Sequence, residues 1–111
     1  MAELEVIDDA ARWDALTAAT GFSPWQQSRA YGLALAAAGH AVGRWRIDVG
    51  GATVGCVQAV GRLAAGGRIG VWHALGGPMW RPGVGAVTKR AGLDALSAEL
   101  GGRLRPILVT P

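Results

Sequence analysis

The sequence predicts an α+β fold in which two helices precede a three-stranded antiparallel meander, a crossover helix and a final strand parallel to the third. Apolar residues follow helical spacing before Gly39 and again over residues 87–100, whereas residues 44–49 alternate between polar and apolar as in a strand. The predicted order is therefore α-α-β-β-β-α-β. With 111 residues, the chain is expected to form one small domain that spans residues 1–111.

The first helix is predicted over residues 9–20. Asp8 is the expected N-cap, and Asp9 adds negative charge to the first turn, where the helix dipole favours it. Gly21 suits the left-handed conformation that often ends a helix. The helix is therefore expected to end at Thr20.

The second helix is predicted to begin at the letters SPWQ. Ser23 is the expected N-cap, Pro24 takes the first helical position, and Gln26 completes a capping box with Ser23. The helix is expected to continue to Ala38, with Gly39 ending it.

Two further polar residues at this helix start, Gln27 and Ser28, have no place in the capping box. We expect them to satisfy backbone groups where the helix start packs against the sheet. The competing interpretation is that they contact a ligand.

Three strands follow the second helix. Residues 44–49 form a half-buried strand, and Gly50 with Gly51 is typical of a tight hairpin. Residues 53–62 and 68–75 are apolar on both faces, which predicts a central and a third strand joined by a turn at 64–67.

A loop rich in glycine and proline is predicted at residues 76–85. The third helix, at 87–100, carries Leu93, Leu96 and Leu100 at helical spacing and stops at Gly101 and Gly102. The last strand is predicted at 104–110, although Pro106 removes one ladder donor. The chain ends directly after it, so we expect this strand to carry an uncovered edge.

Composition limits the class of protein. The net charge is +3 and the isoelectric point about 10.0, which suits RNA, acidic cofactors or anionic lipid, but the arginines are scattered and favour an ordinary basic surface.

Cys56 is the only cysteine, so no internal disulfide forms. The N-terminus is acidic, and no apolar run approaches the roughly 18 residues of a membrane span. We therefore expect a cytoplasmic protein without a membrane span.

Four short motifs occur in a fixed order along the chain: WQQSRAY at 25–31 ahead of Gly39, VGCVQ at 54–58, GGPMW at 76–80 and VTP at 109–111. They resemble, in that order, the signatures of FemAB-like proteins, which are related to GNAT acyltransferases. The predicted element order also resembles the first part of the GNAT fold. The resemblance covers most of the chain from Trp13 onward and implies a partial GNAT-like fold.

The resemblance implies amide-forming acyl transfer to a primary amine on a small molecule or peptide. The donor would be acyl-CoA or aminoacyl-tRNA, so tRNA is a possible partner, and no metal is implied. Family proteins normally carry two GNAT-like halves, and this chain matches the N-terminal part of the first. An acyltransferase that lacks its C-terminal half is therefore expected. The alternative is a non-catalytic remnant or interaction module, completed by a partner or by self-association.

In GNAT enzymes the turn between the third strand and the third helix binds the cofactor pyrophosphate with backbone N–H groups at the helix start. The resemblance implies four cofactor-binding residues here: Gly77, Arg81, Gly83 and Gly85. The letters RPGVGA match the usual loop pattern imperfectly, because the glycines come one position early and Pro78 and Pro82 lack N–H donors. A rigid loop without a ligand is the competing interpretation.

The remaining candidates favour structural roles, and no catalytic residue is assigned. His73 is a possible general base, but its strand face also carries Val71 and Leu75, which favours a packed histidine. Cys56 lies in mid-strand, where a buried, inert thiol is expected. His40 is expected to be exposed. One cysteine and two histidines, widely spaced, give no metal pattern.

Charged and aromatic residues give weaker signals. The carboxylates Asp48, Asp94 and Glu99 appear isolated in the sequence. Four arginines lie on the predicted meander: Arg44, Arg46, Arg62 and Arg68. They could form a basic rim that contacts tRNA phosphates. The alternative is that they are ordinary solvated residues at the strand ends. The five tryptophans are expected to pack in the core and at its rim rather than to stack on bases.

Overall fold

The computed structural model describes residues 1–21, 24–64, 69–101 and 107–110. The strands are β1 (Ala2–Val6), β2 (Ala41–Val49), β3 (Ala52–Ala64), β4 (Ile69–Leu75), β5 (Met79–Trp80) and β6 (Ile107–Thr110). The helices are α1 (Ala10–Ala18), α2 (Arg29–Ala37) and α3 (Ala86–Leu100), and a short 3₁₀-helix (Trp25–Gln27) precedes α2.

The strands form one sheet in the order β1-β2-β3-β4-β6, with β5 paired to β3. Strands β2, β3 and β4 pair antiparallel, and β6 pairs parallel to β4 after the α3 crossover. The α+β class, the meander and the parallel final strand are thus confirmed. The predicted order omitted two strands, β1 and β5.

Strand β1 was missed although its sequence has a strand pattern. Glu3 and Glu5 alternate with Leu4 and Val6, and β1 pairs antiparallel with β2, with Leu4 opposite Ile47. The carboxylate of Glu5 lies 2.8 Å from Arg12 and 2.5 Å from Arg46. This strand therefore brings the acidic N-terminus against the basic residues of α1 and β2.

Helix α1 begins one residue later than predicted. Asp9, not Asp8, is the N-cap, and its Oδ1 accepts a 2.8 Å hydrogen bond from the N–H of Ala11. Thr20 lies beyond the helical end at Ala18, and Gly21 has the left-handed φ of +76° expected after a helix.

The start of α2 was predicted wrongly. The chain makes one 3₁₀ turn at 25–27, becomes extended at Ser28 (φ −75°, ψ 149°), and enters α2 only at Arg29. Ser28 is the N-cap, because its Oγ accepts from the Tyr31 N–H at 3.2 Å. Ser23 and its capping box lie outside the described residues. Gly39 follows the helix with φ +95°, as its predicted role requires.

The core lies on both faces of the sheet. Helix α3 covers one face, where Leu96 and Leu100 pack in a cluster with Ile47 and with Trp45 and Trp72, whose rings meet edge to face at 6.1 Å. On the opposite face, near α1, a smaller cluster holds Ile7, Trp13, Cys56 and Met79. Three tryptophans are therefore core residues, as expected.

Trp25 is not a core residue, since 66% of its surface is exposed. Its ring meets the Tyr31 ring edge to face at 4.9 Å, so it packs at the rim of the fold near the start of α2.

None of the helices within the described ranges has the length and apolar character needed to span a membrane. The cytoplasmic location remains a prediction.

Candidate functional site

The pairing of β4 with β3 is interrupted near the middle of the sheet. The two strands pair as far as Val60 opposite His73, and pairing resumes where Met79 of β5 lies opposite Cys56. Between these points the five residues 74–78 face only the three residues 57–59. We call residues 74–78 the bulge, because the extra residues force the backbone away from β3.

The side chain of Gln27 fills the gap that the bulge leaves in the ladder. The backbone N–H of Gln58 donates to Gln27 Oε1 at 2.7 Å, and Gln27 Nε2 donates to the Gln58 carbonyl at 2.9 Å. Gln27 Nε2 also donates to the Leu75 carbonyl at 2.6 Å. Gln27 is fully buried, so its amide replaces the missing strand partner. The expectation that Gln27 satisfies backbone groups is confirmed.

A second glutamine extends this network to the start of α2. Gln58 Nε2 donates to the carbonyls of Gln26 (3.1 Å) and Ser28 (2.9 Å). The Trp13 indole N–H donates to the Gln27 carbonyl at 3.1 Å. These bonds fix the 3₁₀ turn against the sheet on both sides of Gln27. They also place α1 and the start of α2 relative to the bulge.

A groove of about 350 Å³ lies beside the bulge, and we call it the loop groove. Pro24, which precedes the 3₁₀-helix, lines it together with residues of the bulge, the loop that follows and α3, among them Gly76, Pro78, Arg81, Gly83 and Lys89. Arg81 is anchored to the sheet because its N–H donates to the Val54 carbonyl at 2.8 Å. Arg81 itself is exposed, so the loop groove carries two cations, Arg81 and Lys89.

The start of α3 adjoins the loop groove. Gly85 is the N-cap and supplies no side-chain hydrogen bond, and the Lys89 N–H donates to the Gly85 carbonyl at 3.0 Å. The N–H groups of the preceding turn, at 86–88, have no acceptor within the helix. Ala86 and Val87 are exposed. Uncapped N–H groups beside two cations suit an anion such as a diphosphate.

The four residues implied as cofactor-binding occupy different positions. Arg81 and Gly83 line the loop groove, and Gly83 has a left-handed φ of +83°. Gly85 is the exposed N-cap of α3. Gly77 is buried against the Gln27 side chain instead, with its N–H donating to the Ala74 carbonyl at 3.3 Å.

A second cavity has a volume of about 250 Å³, and Leu75 lines it. We call it the α2 cavity, because α2 forms one wall and β3 and β4 form the other. Its lining residues are Tyr31, Leu35, His40, Val60, Arg62, Val71, His73 and Leu75. His73 is half-buried beside Val71 and Leu75, as expected, whereas His40 is half-buried rather than exposed.

Cys56 is fully buried in mid-strand, and burial raises the pKa of its thiol to about 12 against the opposing effect of the Arg81 charge. It therefore stays protonated and unreactive at neutral pH, as expected. No group of three or more His, Cys, Asp and Glu side chains in the described part of the chain is arranged to hold a metal ion.

The arginines of the predicted basic rim have different surroundings in the structure. Arg46 pairs with Glu5 and, at 3.0 Å, with Asp48, so Asp48 is not isolated. Asp94 is not isolated either, because Arg90 lies 3.1 Å from it. Burial, assisted by the positive charge of Arg29, lowers the pKa of Arg44. Arg68 lies outside the described residues.

The fold is that of GNAT-type N-acetyltransferases. The chain is similar to the ribosomal-protein-alanine N-acetyltransferase of Brucella melitensis biovar Abortus 2308, with a TM-score of 0.54 and 14% identity over 99% of this chain and 82% of that one. It is also similar to an acetyltransferase of Trypanosoma brucei, with a TM-score of 0.50 and 16% identity over 100% of this chain and 83% of that one.

At these identities the likeness shows the fold alone. No protein-family profile matches the chain, and no curated protein matches it. The FemAB resemblance remains a prediction.

Proposed function

We propose that this chain is a GNAT-like N-acyltransferase domain that transfers an acyl group from acyl-CoA to a primary amine. The observation that carries the proposal is the loop groove, which is lined by Arg81 and Lys89 beside an interrupted strand and adjoins the N-terminus of α3, where no side chain caps the helix. The fold shared with two acetyltransferases supports it.

The loop groove would hold the donor by its diphosphate. The start of α3 supplies N–H donors and the positive end of the helix dipole, and Arg81 and Lys89 supply formal charge. A Cβ at Gly85 would meet nothing within 4 Å, so a phosphate has room to approach the backbone there. Gly77 would contribute indirectly, by leaving space for the Gln27 amide that closes the bulge.

The bulge would place the acyl group beside β4. Transfer requires the amine nitrogen to attack the thioester carbonyl, so that a C–N bond forms, the C–S bond breaks, and the thiolate leaves and takes up the proton that the amine loses. The protein contributes chiefly by holding the two reactants at attack distance. A bulge fixed by Gln27 is held in place by two buried hydrogen bonds to β3 and one partly buried hydrogen bond to β4.

The first test is equilibrium binding of CoA, measured by calorimetry on Gly85→Asp and Gly85→Ser. Aspartate and serine both cap helices well, so both variants should fold. Gly85→Asp places a carboxylate where the diphosphate would lie and should weaken binding about tenfold or more. Gly85→Ser should bind less tightly than the original chain, because its hydroxyl accepts from the same N–H groups, but more tightly than Gly85→Asp, because it adds no charge. The proposal is wrong if CoA does not bind, or if Gly85→Asp binds as well as Gly85→Ser.

The second test follows thiol release from acetyl-CoA in the presence of primary amines. The folded chain itself should add no thiol signal, because Cys56 is fully buried. Release that depends on the amine and is lost in Gly85→Asp would support transfer. Release that is the same without an amine would indicate hydrolysis instead.

An aminoacyl-tRNA donor is the finer proposal that the FemAB resemblance suggests. We favour acyl-CoA, because Arg46 is paired with two carboxylates, so the described residues of the meander do not form a continuous row of free cations. The salt dependence of binding separates the two donors. A tRNA that contacts several phosphates loses affinity steeply with salt, whereas CoA at two cations should lose it gradually.

A second candidate function is an interaction module formed by self-association. It is favoured by the strand order, in which β6 lies at one end of the sheet and pairs only with β4 among the described strands. An open edge can pair with a second copy of the chain. Sedimentation equilibrium tests this directly, since a monomer at all soluble concentrations would exclude it.

A further inference from the structure

The α2 cavity has apolar walls and a polar mouth. Tyr31 and Leu35, one turn apart on α2, face Val60 of β3 and Val71 of β4. Its volume of about 250 Å³ is below the roughly 300–1,000 Å³ of sites for drug-sized ligands. The cavity therefore suits a small molecule with an apolar body.

Apart from the Tyr31 hydroxyl, the polar side chains at this cavity are bases. His40, Arg62 and His73 line it, and the strand register places Arg62 opposite Val71 and Val60 opposite His73 on one face of the sheet. None of the lining residues is a carboxylate. No described carboxylate pairs with Arg62.

The absence of carboxylates from the cavity lining follows from the distribution of acidic residues along the sequence. The chain has eight acidic residues, and five of them precede residue 15: Glu3, Glu5, Asp8, Asp9 and Asp14. Between Asp48 and Asp94 there is none. Helix α2 and strands β3 and β4, which form the cavity, therefore carry no acidic residue. An anion at the mouth of the cavity meets the charge of Arg62 without competition from acidic residues in the walls.

We propose that the α2 cavity binds a small organic carboxylate with an aliphatic or aromatic body. The body lies between α2 and the sheet, and the carboxylate accepts hydrogen bonds from Arg62, with His40 beside it. A shallow depression lined by Gly39, His40, Ala41, Gly61 and Arg62 continues from the same two residues, so the carboxylate reaches solvent. One arginine at an open mouth suits the single charge of a carboxylate. This site stands whether or not the loop groove binds acyl-CoA.

Binding is tested by calorimetry with hexanoate and 3-phenylpropionate as probes, and with hexylamine and hexanol as probes of matched length. The carboxylates should bind saturably, and the amine and the alcohol should bind more weakly. Equal binding of hexanoate and hexylamine would overturn the proposal, because it would show that the bases at the mouth do not select charge. Absence of hexanoate binding would overturn it as well.

Two pairs of variants locate the site. Arg62→Gln should weaken hexanoate binding about fivefold, the scale of an exposed ion pair, whereas Arg90→Gln, which removes a distant exposed charge on α3, should not. Leu35→Trp should block binding by filling the cavity. Leu33→Trp changes a side chain of α2 that is 51% exposed and does not line the cavity, and it should leave binding unchanged.

The same variants distinguish the carboxylate site in the α2 cavity from the proposed acyl-CoA site in the loop groove. Arg62→Gln and Leu35→Trp should leave CoA affinity unchanged, and Gly85→Asp should leave hexanoate affinity unchanged. Hexanoate binding that is lost in Gly85→Asp but kept in Leu35→Trp would place the carboxylate in the loop groove and overturn the assignment to the α2 cavity.

Discussion

Gly77 lies directly against the side-chain amide of Gln27, so that a Cβ added at Gly77 would stand 2.8 Å from Gln27 Cδ. The bulge and the 3₁₀ turn before α2 are therefore fitted to each other through one side chain. Gln27 needs the space that a glycine leaves, and the bulge needs the hydrogen bonds that Gln27 supplies.

Gln27→Met should destabilise the fold by about 2–4 kcal/mol. Methionine keeps much of the volume but leaves the Gln58 N–H and carbonyl buried without partners, at about 1–3 kcal/mol for each group, and it removes the donor to the partly buried Leu75 carbonyl. Urea unfolding gives the free energy of unfolding. Gln26→Met is the matched control and should cost less than about 0.5 kcal/mol, because only the backbone carbonyl of Gln26 joins the network. Equal losses in the two variants would contradict the role given to Gln27.

Gly77→Ala should destabilise the fold by about 1–3 kcal/mol, because the new methyl group displaces the Gln27 amide from its partners. A double-mutant cycle with Gln27→Ala tests the cause. When the Gln27 amide is absent, the added methyl group has less to displace, and the two free-energy changes should fall short of additivity by about 1 kcal/mol or more. Strict additivity would show that the crowding at Gly77 has another source.

Ser28→Ala should lower the free energy of unfolding by about 1 kcal/mol, because α2 loses its N-cap. Ser97→Ala provides the comparison. Ser97 is exposed within α3, where alanine is the better helix former by a few tenths of a kcal/mol. Thermal unfolding followed by circular dichroism measures both variants. A Ser28→Ala protein as stable as the original would mean that α2 does not depend on this cap.

Iodoacetamide should not label the native protein at pH 8 and should label it fully in urea. Burial raises the pKa of the Cys56 thiol to about 12, whereas an unfolded cysteine has a pKa of about 8.5. Because the folded-state pKa is the higher one, the contribution of this thiol to stability is complete below the unfolded pKa and decreases as the pH rises toward 12. Mass spectrometry gives the labelled fraction, and rapid labelling without urea would show that Cys56 is accessible.

The sequence predicted the sheet well, because its main signals are local. The hairpin at Gly50 and Gly51 and the helix end at Gly39 require backbone angles that glycine adopts easily, and all three residues have positive φ. The start of α2 was predicted wrongly, because Ser23 and Ser28 are both good N-cap residues and the capping-box pattern favoured Ser23. Strand β5 was missed because two residues give too little pattern to recognise.

The bridging role of Gln27 had no local signal. Its hydrogen-bond partners, Gln58 and Leu75, are 31 and 48 residues further along the chain. A polar residue at a helix start is ordinary, and only the tertiary structure shows that its amide replaces a strand residue. The two cavities could not be predicted for the same reason, because each is lined by elements distant in sequence.

Helix α2 touches the sheet at Gly32, where any Cβ would collide with Gln58 Oε1 and with Arg44 Nη2. Leu35, almost one turn further on, borders open space instead. The contact at Gly32 thus sets how closely α2 approaches the sheet, and the α2 cavity lies between the helix and the sheet beyond this contact. The volume of the α2 cavity therefore depends on a residue that does not line it. An engineer who wished to admit larger ligands would change Gly32 and leave every residue that touches the ligand in place.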